Sequence, residues 1–232
     1  MNRGNKLLDY VKMLDSSLQV GGFSHSFGLK SQIEEGKIRT AQDIQTFMQL
    51  ELHPSLVRIE GLAIKGIYSA VSQQDYWRIA LIDKMIHVQR NPVNKRSSSR
   101  AMGKRLLKLS KALHPWMNFE PLEKALEQYD AVGSLPVVHA WINYQLEAPI
   151  HDAVSGYLHA AKDVCFIHVR RLLHLDPIEL ERLLSTLGEE LDQEWNKIDL
   201  SDTSVFQRSL LSIQSLIPGF YLPEPGIKQS RA

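Results

Sequence analysis

The chain has 232 residues, 44% of them hydrophobic and 23% charged, which is the composition of an ordinary globular protein that needs no metal or disulfide to bury a core. Lys and Arg number 27 against 26 Asp and Glu, and the formal charge of +1 excludes the overall basic excess of a protein that binds chiefly phosphates. The single cysteine, Cys165, excludes an intramolecular disulfide and a four-cysteine zinc site, and it predicts a reducing, cytoplasmic setting.

Apolar residues recur at intervals of three and four along the first half of the chain, as in helices with one buried face. Thr40 and Asp43 form a candidate capping box at the start of one helix, which the pair His53-Pro54 is expected to end. Pro54 can then occupy the first turn of the next helix. The pattern predicts five helices in this half, at about residues 7–17, 41–53, 54–71, 75–89 and 102–113.

The second half continues the helical pattern, and proline marks several helix starts. The predicted helices of this half begin at or near Pro121, Pro136, Ala153, Pro177 and Thr203. No alternating run with Asn-Gly or Asp-Gly turns is present, so an antiparallel sheet is not supported. The sequence therefore predicts an all-α fold. We expect a single-domain helical bundle of roughly ten helices over residues 1–217, followed by an irregular Pro- and Gly-containing C-terminal tail over 218–232.

The stretch from Val20 to Leu29 carries three glycines among aromatic and hydroxyl residues, and successive backbone N–H groups in such loops can cradle an anion. A nucleotide-binding loop is disfavoured, because the Walker pattern is missing and no parallel strand precedes the glycines. A catalytic pair of Ser24 and His25 is disfavoured too, since the nucleophile elbow is absent. Two interpretations remain open: a tight helix connection that needs glycine, and an exposed docking loop.

Nine histidines lie singly along the chain, without the spacing of a closed metal site. Cys165 and His168 fall three residues apart on one predicted helix face and could supply two ligands. Two ligands make a weak site, and cysteine and histidine in an apolar helix are more often packed or hydrogen-bonded. We therefore predict no metal site and no catalytic residue.

The segment 84–111 is the most basic part of the chain, and Asp83 is the one acid beside it. Arg96, Arg100 and Lys104 are spaced by four residues and would form one ridge on a helix. An acidic counterpart follows at 179–194. These charges are either solvated helix faces that meet within the fold, or two docking surfaces of opposite sign for protein partners. Nucleic-acid binding through 84–111 is the alternative, which the lack of stacking aromatics there disfavours.

Four stretches of the sequence resemble the family of the urease accessory protein UreF. Residues 15–30, D-S-S-L-Q-V-G-G-F-S-H-S-F-G-L-K, resemble its N-terminal signature D-S-x-x-P-x-G-G-F-x-H-S-x-G-L-E. Residues 100–109 are similar to the family segment R-x-M-G-x-x-L-L-x-L, and 135–138 lie where the family has Y-P-V-V. Residues 169–173 resemble its A-x-R-L-I helix. Order, spacing and helical pattern agree over about the first 175 residues.

The sequence departs from the family pattern at four places. Gln19 replaces the usual proline of the signature, and Lys30 replaces the usual glutamate, which reverses a charge beside the glycine stretch. After Arg171 the family commonly continues R-L-I-P-L-G-Q, where this chain has a pattern that favours a helix break. The charged, histidine-containing ending of the family is not recognisable in residues 219–232.

The resemblance implies a non-enzymatic protein of urease maturation. Proteins of this family act with UreD (also called UreH) and the GTPase UreG to load nickel into apo-urease, and they are helical dimers that bridge these partners and influence GTP hydrolysis. It implies no intrinsic cofactor, nickel handled by the complex, GTP bound by the partner, and a homodimer. The polar first residues and the lack of about 20 consecutive apolar residues predict neither a signal peptide nor a membrane-spanning helix, and we expect no nucleic-acid ligand. The expected partner-binding residues are Gly21, Gly22, Phe23, Ser24, His25, Ser26, Gly28, Leu29, Arg96, Arg100, Gly103, Lys104, Arg171, Phe220 and Tyr221.

Overall fold

The computed structural model of the chain describes Lys6, Leu8, Asp9 and residues 27–89 and 93–198, with the side chains of 93–96 excepted. All of these residues belong to one unit of the chain, Met1–Leu200. The helix predicted at 203–216, most of the glycine-rich signature and the predicted tail 218–232 lie outside the described residues, as does the helix predicted at 7–17 except for Leu8 and Asp9, which are helical. The predicted domain boundary after residue 217 therefore stays a prediction.

The described backbone forms eight continuous helices and contains no strand. They are α1 (Leu29–Glu34), α2 (41–72), α3 (Tyr76–Gln89), α4 (Val93–Leu113), α5 (Glu120–Gln128), α6 (Leu135–Gln145), α7 (Ile150–Leu172) and α8 (Pro177–Asn196). The all-α prediction is confirmed. The count of roughly ten is slightly off, because the helices predicted at 41–53 and 54–71 are one continuous helix in the described region.

The helix α2 runs through the pair His53-Pro54, where the sequence predicted a break. It consists of the α-helical segments Ala41–Phe47 and Leu62–Ser72 and, between them, the π-helical segments Met48–Leu52 and Ser55–Gly61. A proline has no N–H to donate and its ring crowds the carbonyl one turn earlier. In the wider π turns each N–H bonds to the carbonyl five residues before it, as the His53 N–H does to Met48, so the helix can continue past the proline.

The predicted capping box at the start of α2 is confirmed. The Asp43 N–H donates to the Thr40 hydroxyl at 3.1 Å, and the Thr40 N–H donates to the Asp43 carboxylate at 2.9 Å. The Arg39 N–H also donates to that carboxylate, at 2.9 Å. These backbone hydrogen bonds lower the pKa of Asp43, because each of them is made to the charged form.

The helix α6 is the centre of the bundle. Every residue from Leu135 to Asn143 is buried, and α6 packs against α2, α4 and α7. A helix that is apolar on all sides needs neighbours on all sides, so its sequence alone indicates a central position. Its one imidazole, His139, approaches the carbonyl oxygen of Ala153 with Nε2 at 3.0 Å. Burial lowers the pKa of His139 to about 4, so the ring is neutral at pH 7 and Nε2 donates this hydrogen bond.

Candidate partner-binding surfaces

The last residues of the glycine-rich signature set the start of α1. Gly28 precedes the helix in the left-handed region, with φ at 91°, where a side chain would be strained. Leu29 follows as the first helical residue and is fully buried. Gly28 therefore turns the chain and Leu29 anchors it, which agrees with the interpretation of this stretch as a tight connection for these two positions.

The helix α1 packs against α7, and this contact brings two of the family-like stretches together. Lys30 and Glu34 are exposed on α1 and form an ion pair at 3.6 Å. On α7, His168 is half-buried and its pKa is lowered by burial first and then by the positive charges of Lys30 and Arg171, with Glu34 opposing them. Arg171 is exposed. We call the set Gly28, Lys30, Glu34, His168 and Arg171 the α1–α7 surface.

The charge of Lys30 gives a direct test of this arrangement. Replacing Lys30 with glutamate is expected to raise the pKa of His168, because it removes a cation that disfavours the imidazolium and adds an anion that favours it. The pKa can be followed by the pH dependence of the His168 ring signals in NMR spectra. Lys37→Glu is the control, since Lys37 is exposed and paired with Glu35 and is not among the charges that act on His168. If the pKa of His168 is the same in both variants and in the wild type, Lys30 does not lie close to His168.

The exposed side of α4 carries a second surface. Arg100, Lys104, Arg105 and Lys108 are all exposed, and we call these four the basic face. None of them forms an ion pair with another residue that the structure describes. The opposite side of the helix is buried through residues at helical spacing, namely Ser99, Met102, Gly103, Leu106 and Ser110. Arg96, predicted to extend the ridge, lies in the same helix with its side chain outside the description.

At Gly103, α4 packs against the segment of chain that leads into α6. It is buried, and a Cβ atom placed on it would lie 2.0 Å from the carbonyl oxygen of Gly133, far inside van der Waals contact. Nearby, the Leu135 N–H donates to the Ser99 hydroxyl at 3.3 Å. The glycine of the R-x-M-G segment is therefore required for a close approach of two backbones, and it supports the basic face from beneath.

Asp83 holds the other side of the same connection. This carboxylate is fully buried and accepts three backbone hydrogen bonds, from the N–H groups of Val132, Gly133 and Ser134 at 2.8, 2.6 and 3.1 Å. A buried carboxylate needs such donors, because an unsatisfied charge in the interior is strongly unfavourable. In the sequence, Asp83 is recognisable only as the acid beside a basic segment. Its partners lie about fifty residues later, where no sequence motif marks them.

Four of the acidic residues of α8 contact side chains of α2 and α7. Glu181 accepts two hydrogen bonds from the Arg170 guanidinium, at 2.7 and 2.9 Å, across the α7–α8 hairpin. Three further pairs join α8 to α2 and α7: Glu190 with Gln49 at 2.8 Å, Asp192 with His159 at 3.0 Å and Glu194 with Arg58 at 3.6 Å. Among the described residues, no ion pair joins this acidic helix to the basic face. The two charged segments therefore do not neutralise each other there.

The remaining predicted site residues fall into two groups. Gly21, Gly22, Phe23, Ser24, His25, Ser26, Phe220 and Tyr221 lie outside the described residues. Cys165, considered with His168 as a weak ligand pair, is fully buried in α7. Among the side chains described, no group of three His, Cys, Asp or Glu is placed to hold a metal ion. Across the same part of the chain, none of the helices has the length and apolar character needed to cross a membrane.

Comparison with known proteins gives the same family by two routes. The sequence model of the UreF family matches residues 38–188, a span that contains the basic face and most of the helices. The chain is 26% identical to the urease accessory protein UreF of Lachnoclostridium phytofermentans over 195 residues, which are 84% of this chain and 86% of that protein. It is 25% identical to the urease accessory protein UreF of Bacillus sp. strain TB-90 over 189 residues, 82% of this chain and 83% of the relative.

Proposed function

The chain belongs to the UreF family of urease accessory proteins, and from this premise we propose that it serves urease maturation as a non-catalytic helical scaffold. In this proposal it bridges a UreD/UreH-type protein and the GTPase UreG while nickel is inserted into apo-urease. It acts in the cytoplasm as a homodimer and modulates GTP hydrolysis by its partner. Nickel is the cargo of the complex and GTP is bound by UreG, so the chain itself needs no cofactor.

The observation that carries the proposal is the family match over residues 38–188. Both relatives carry the name urease accessory protein, and each alignment spans more than four fifths of both chains. A similarity that covers so much of both chains favours a shared role, because it is not limited to a single domain within otherwise different proteins. The partners and the cargo are those of the family, and the candidate contact surfaces are those of this chain.

Two features of the structure support a scaffold. The first is that both candidate surfaces lie on helices that are packed into the bundle, α4 through Gly103 and α1 through Leu29. A surface held on a rigid element loses little conformational entropy when a partner binds. The second is that the basic face is exposed and its charges are not matched within the described part of the fold, so they are available to a partner.

The test is activation of urease in a bacterial host that carries a urease operon but lacks its own UreF gene. Expression of this chain is expected to restore urease activity and the nickel content of purified urease. An empty vector gives the baseline, and the relative from Bacillus sp. strain TB-90 gives the positive control. Inactive, nickel-free urease in cells that contain folded chain would contradict the proposal, provided the control restores activity. Hydrolysis of GTP by the purified chain alone would contradict its non-catalytic part.

A further inference from the structure

The basic face is a group of four exposed cations on one side of α4. Elsewhere exposed cations are commonly paired, as in Lys124 with Glu120 at 2.7 Å, Arg170 with Glu181, and Lys111 with Glu123. Arg100, Lys104, Arg105 and Lys108 form no ion pair with any other described residue. Lys111, one turn beyond them on the same helix, is already paired with α5. Among the described side chains of α4, the unmatched charge is thus confined to about two turns.

This arrangement does not serve the stability of the helix. Arg100, Lys104 and Lys108 follow one another at intervals of four residues, and like charges at this spacing repel each other on a helix surface. Arg105 and Lys108 are three residues apart, which adds to the repulsion. A partner with negative charge would relieve all of these interactions at once. The face is therefore suited to association with an acidic surface.

The backbone that carries the basic face is held in place by packing. At a rise of about 1.5 Å per residue, Arg100 and Lys108 stand about 12 Å apart along the helix axis. Directly beneath them Met102 and Leu106 are buried, and Gly103 is in close contact with Gly133. The backbone below the four cations is therefore fixed, so that binding would order mainly the side chains.

The chemistry of the face favours a protein partner over a nucleic acid. Ser97, Ala101, Ala112 and Leu113 are the other exposed uncharged residues of α4 whose side chains are described, and none of them is aromatic. Proteins that bind single strands combine cations with aromatic rings on which bases stack. Proteins that bind duplexes chiefly through phosphates carry a larger basic excess than the +1 of this chain. Carboxylates on a folded partner suit four cations confined to two helical turns.

We propose that the basic face of α4 docks an acidic surface of one of the urease maturation proteins and that its charges set the rate of that association. This inference rests on the proposed function for the identity of the partner. Charges at the edge of an interface act mainly on the rate of encounter, because they attract the partner before contact is made. Salt screens this attraction over about 10 Å at 0.1 M ionic strength.

The test measures association and dissociation rates of the full chain with a UreD/UreH-type protein, with UreG and with apo-urease, each immobilised in turn. The variant R100E/K104E is compared with the wild type at several salt concentrations. We expect its association rate constant with one partner to fall about tenfold at low salt, a weaker dependence on salt, and a dissociation rate that is little changed. The control R182E/K197E makes the same change of charge at exposed residues of α8 and at its end, and it should stay within about twofold of the wild type.

Glutamate is nearly as good a helix former as lysine and arginine, so R100E/K104E should keep the circular dichroism of the wild type. Should that variant fail to fold, R105Q/K108Q removes charge from the same face without adding any. Equal association rates in the face variants and the control would overturn the docking face and leave the proposed function standing. Failure of the wild type to bind any of the three proteins would overturn both. Binding restricted to DNA or RNA, with a steep loss in salt, would also overturn this inference and would identify nucleic acid as the partner.

Discussion

Replacing Gly103 by alanine is expected to destabilise the protein by about 3 kcal/mol, although glycine to alanine within a helix ordinarily stabilises by up to about 1 kcal/mol. The sign reverses because the new Cβ would lie 2.0 Å from the carbonyl oxygen of Gly133 and 2.9 Å from the carbonyl carbon of Ser134. Both atoms belong to backbone, so the contact can be relieved only by moving α4 away from the chain that leads into α6. The free energy of unfolding is measured by urea titration followed by circular dichroism.

Gly188→Ala is the matched control for Gly103→Ala. Gly188 is also a buried glycine within a helix, but its Cβ would meet only the end of the Lys162 side chain, at 3.3 Å from Nζ. That end can move aside, so the control is expected to be neutral or to gain up to about 1 kcal/mol. A Gly103→Ala protein as stable as the wild type would show that α4 and residues 133–134 are not in contact.

Asp83→Asn is expected to lower the free energy of unfolding by about 3 kcal/mol, with little change in side-chain volume. The carboxylate accepts the N–H groups of Val132 and Gly133 on one oxygen and that of Ser134 on the other. An asparagine has one oxygen, so its amide nitrogen must face at least one of these donors. A buried N–H is then left without an acceptor, and the charge that strengthened all three hydrogen bonds is lost.

Asp130→Asn makes the same chemical change in the connection between α5 and α6 and is the control for Asp83→Asn. Asp130 is exposed and has a φ of 50°, a conformation that asparagine adopts readily. Its replacement is expected to change stability by less than about 0.5 kcal/mol. Equal free energies of unfolding for the Asp83→Asn and Asp130→Asn variants would show that the hydrogen bonds of Asp83 do not stabilise the fold. Because Asp83 and Gly103 fix the same connection, the loss in the double variant is expected to be smaller than the sum of the single losses.

Features that depend on near neighbours in sequence could be predicted. The capping box of Thr40 and Asp43, for example, requires residues within three positions of one another. The path of α2 past Pro54 could not be predicted, because it depends on the packing of other helices against the segment Ser55–Gly61. The helix α1 was not predicted either, since six residues carry too little periodic pattern to be recognised.

The candidate surfaces follow the same rule. The ridge of Arg96, Arg100 and Lys104 was predicted because its members lie four residues apart on one helix, and the structure shows that Arg100 and Lys104 are exposed on α4. The proximity of Lys30 to His168 could not be predicted from the local sequence pattern, because it results from the packing of α1 on α7. The same limit applies to Gly103, whose neighbour Gly133 lies thirty residues further on. The glycine of the R-x-M-G segment can be recognised in the sequence, but the backbone that it contacts cannot.

The bridging role is tested most directly by gel filtration with light scattering on a mixture of this chain, a UreD/UreH-type protein and UreG. The account predicts one particle whose mass requires all three proteins, and separate elution of the UreD/UreH-type protein and UreG when this chain is left out. If those two proteins form the same particle without the chain, or if the chain elutes alone at every concentration, it is not a bridge between them and the central claim is contradicted.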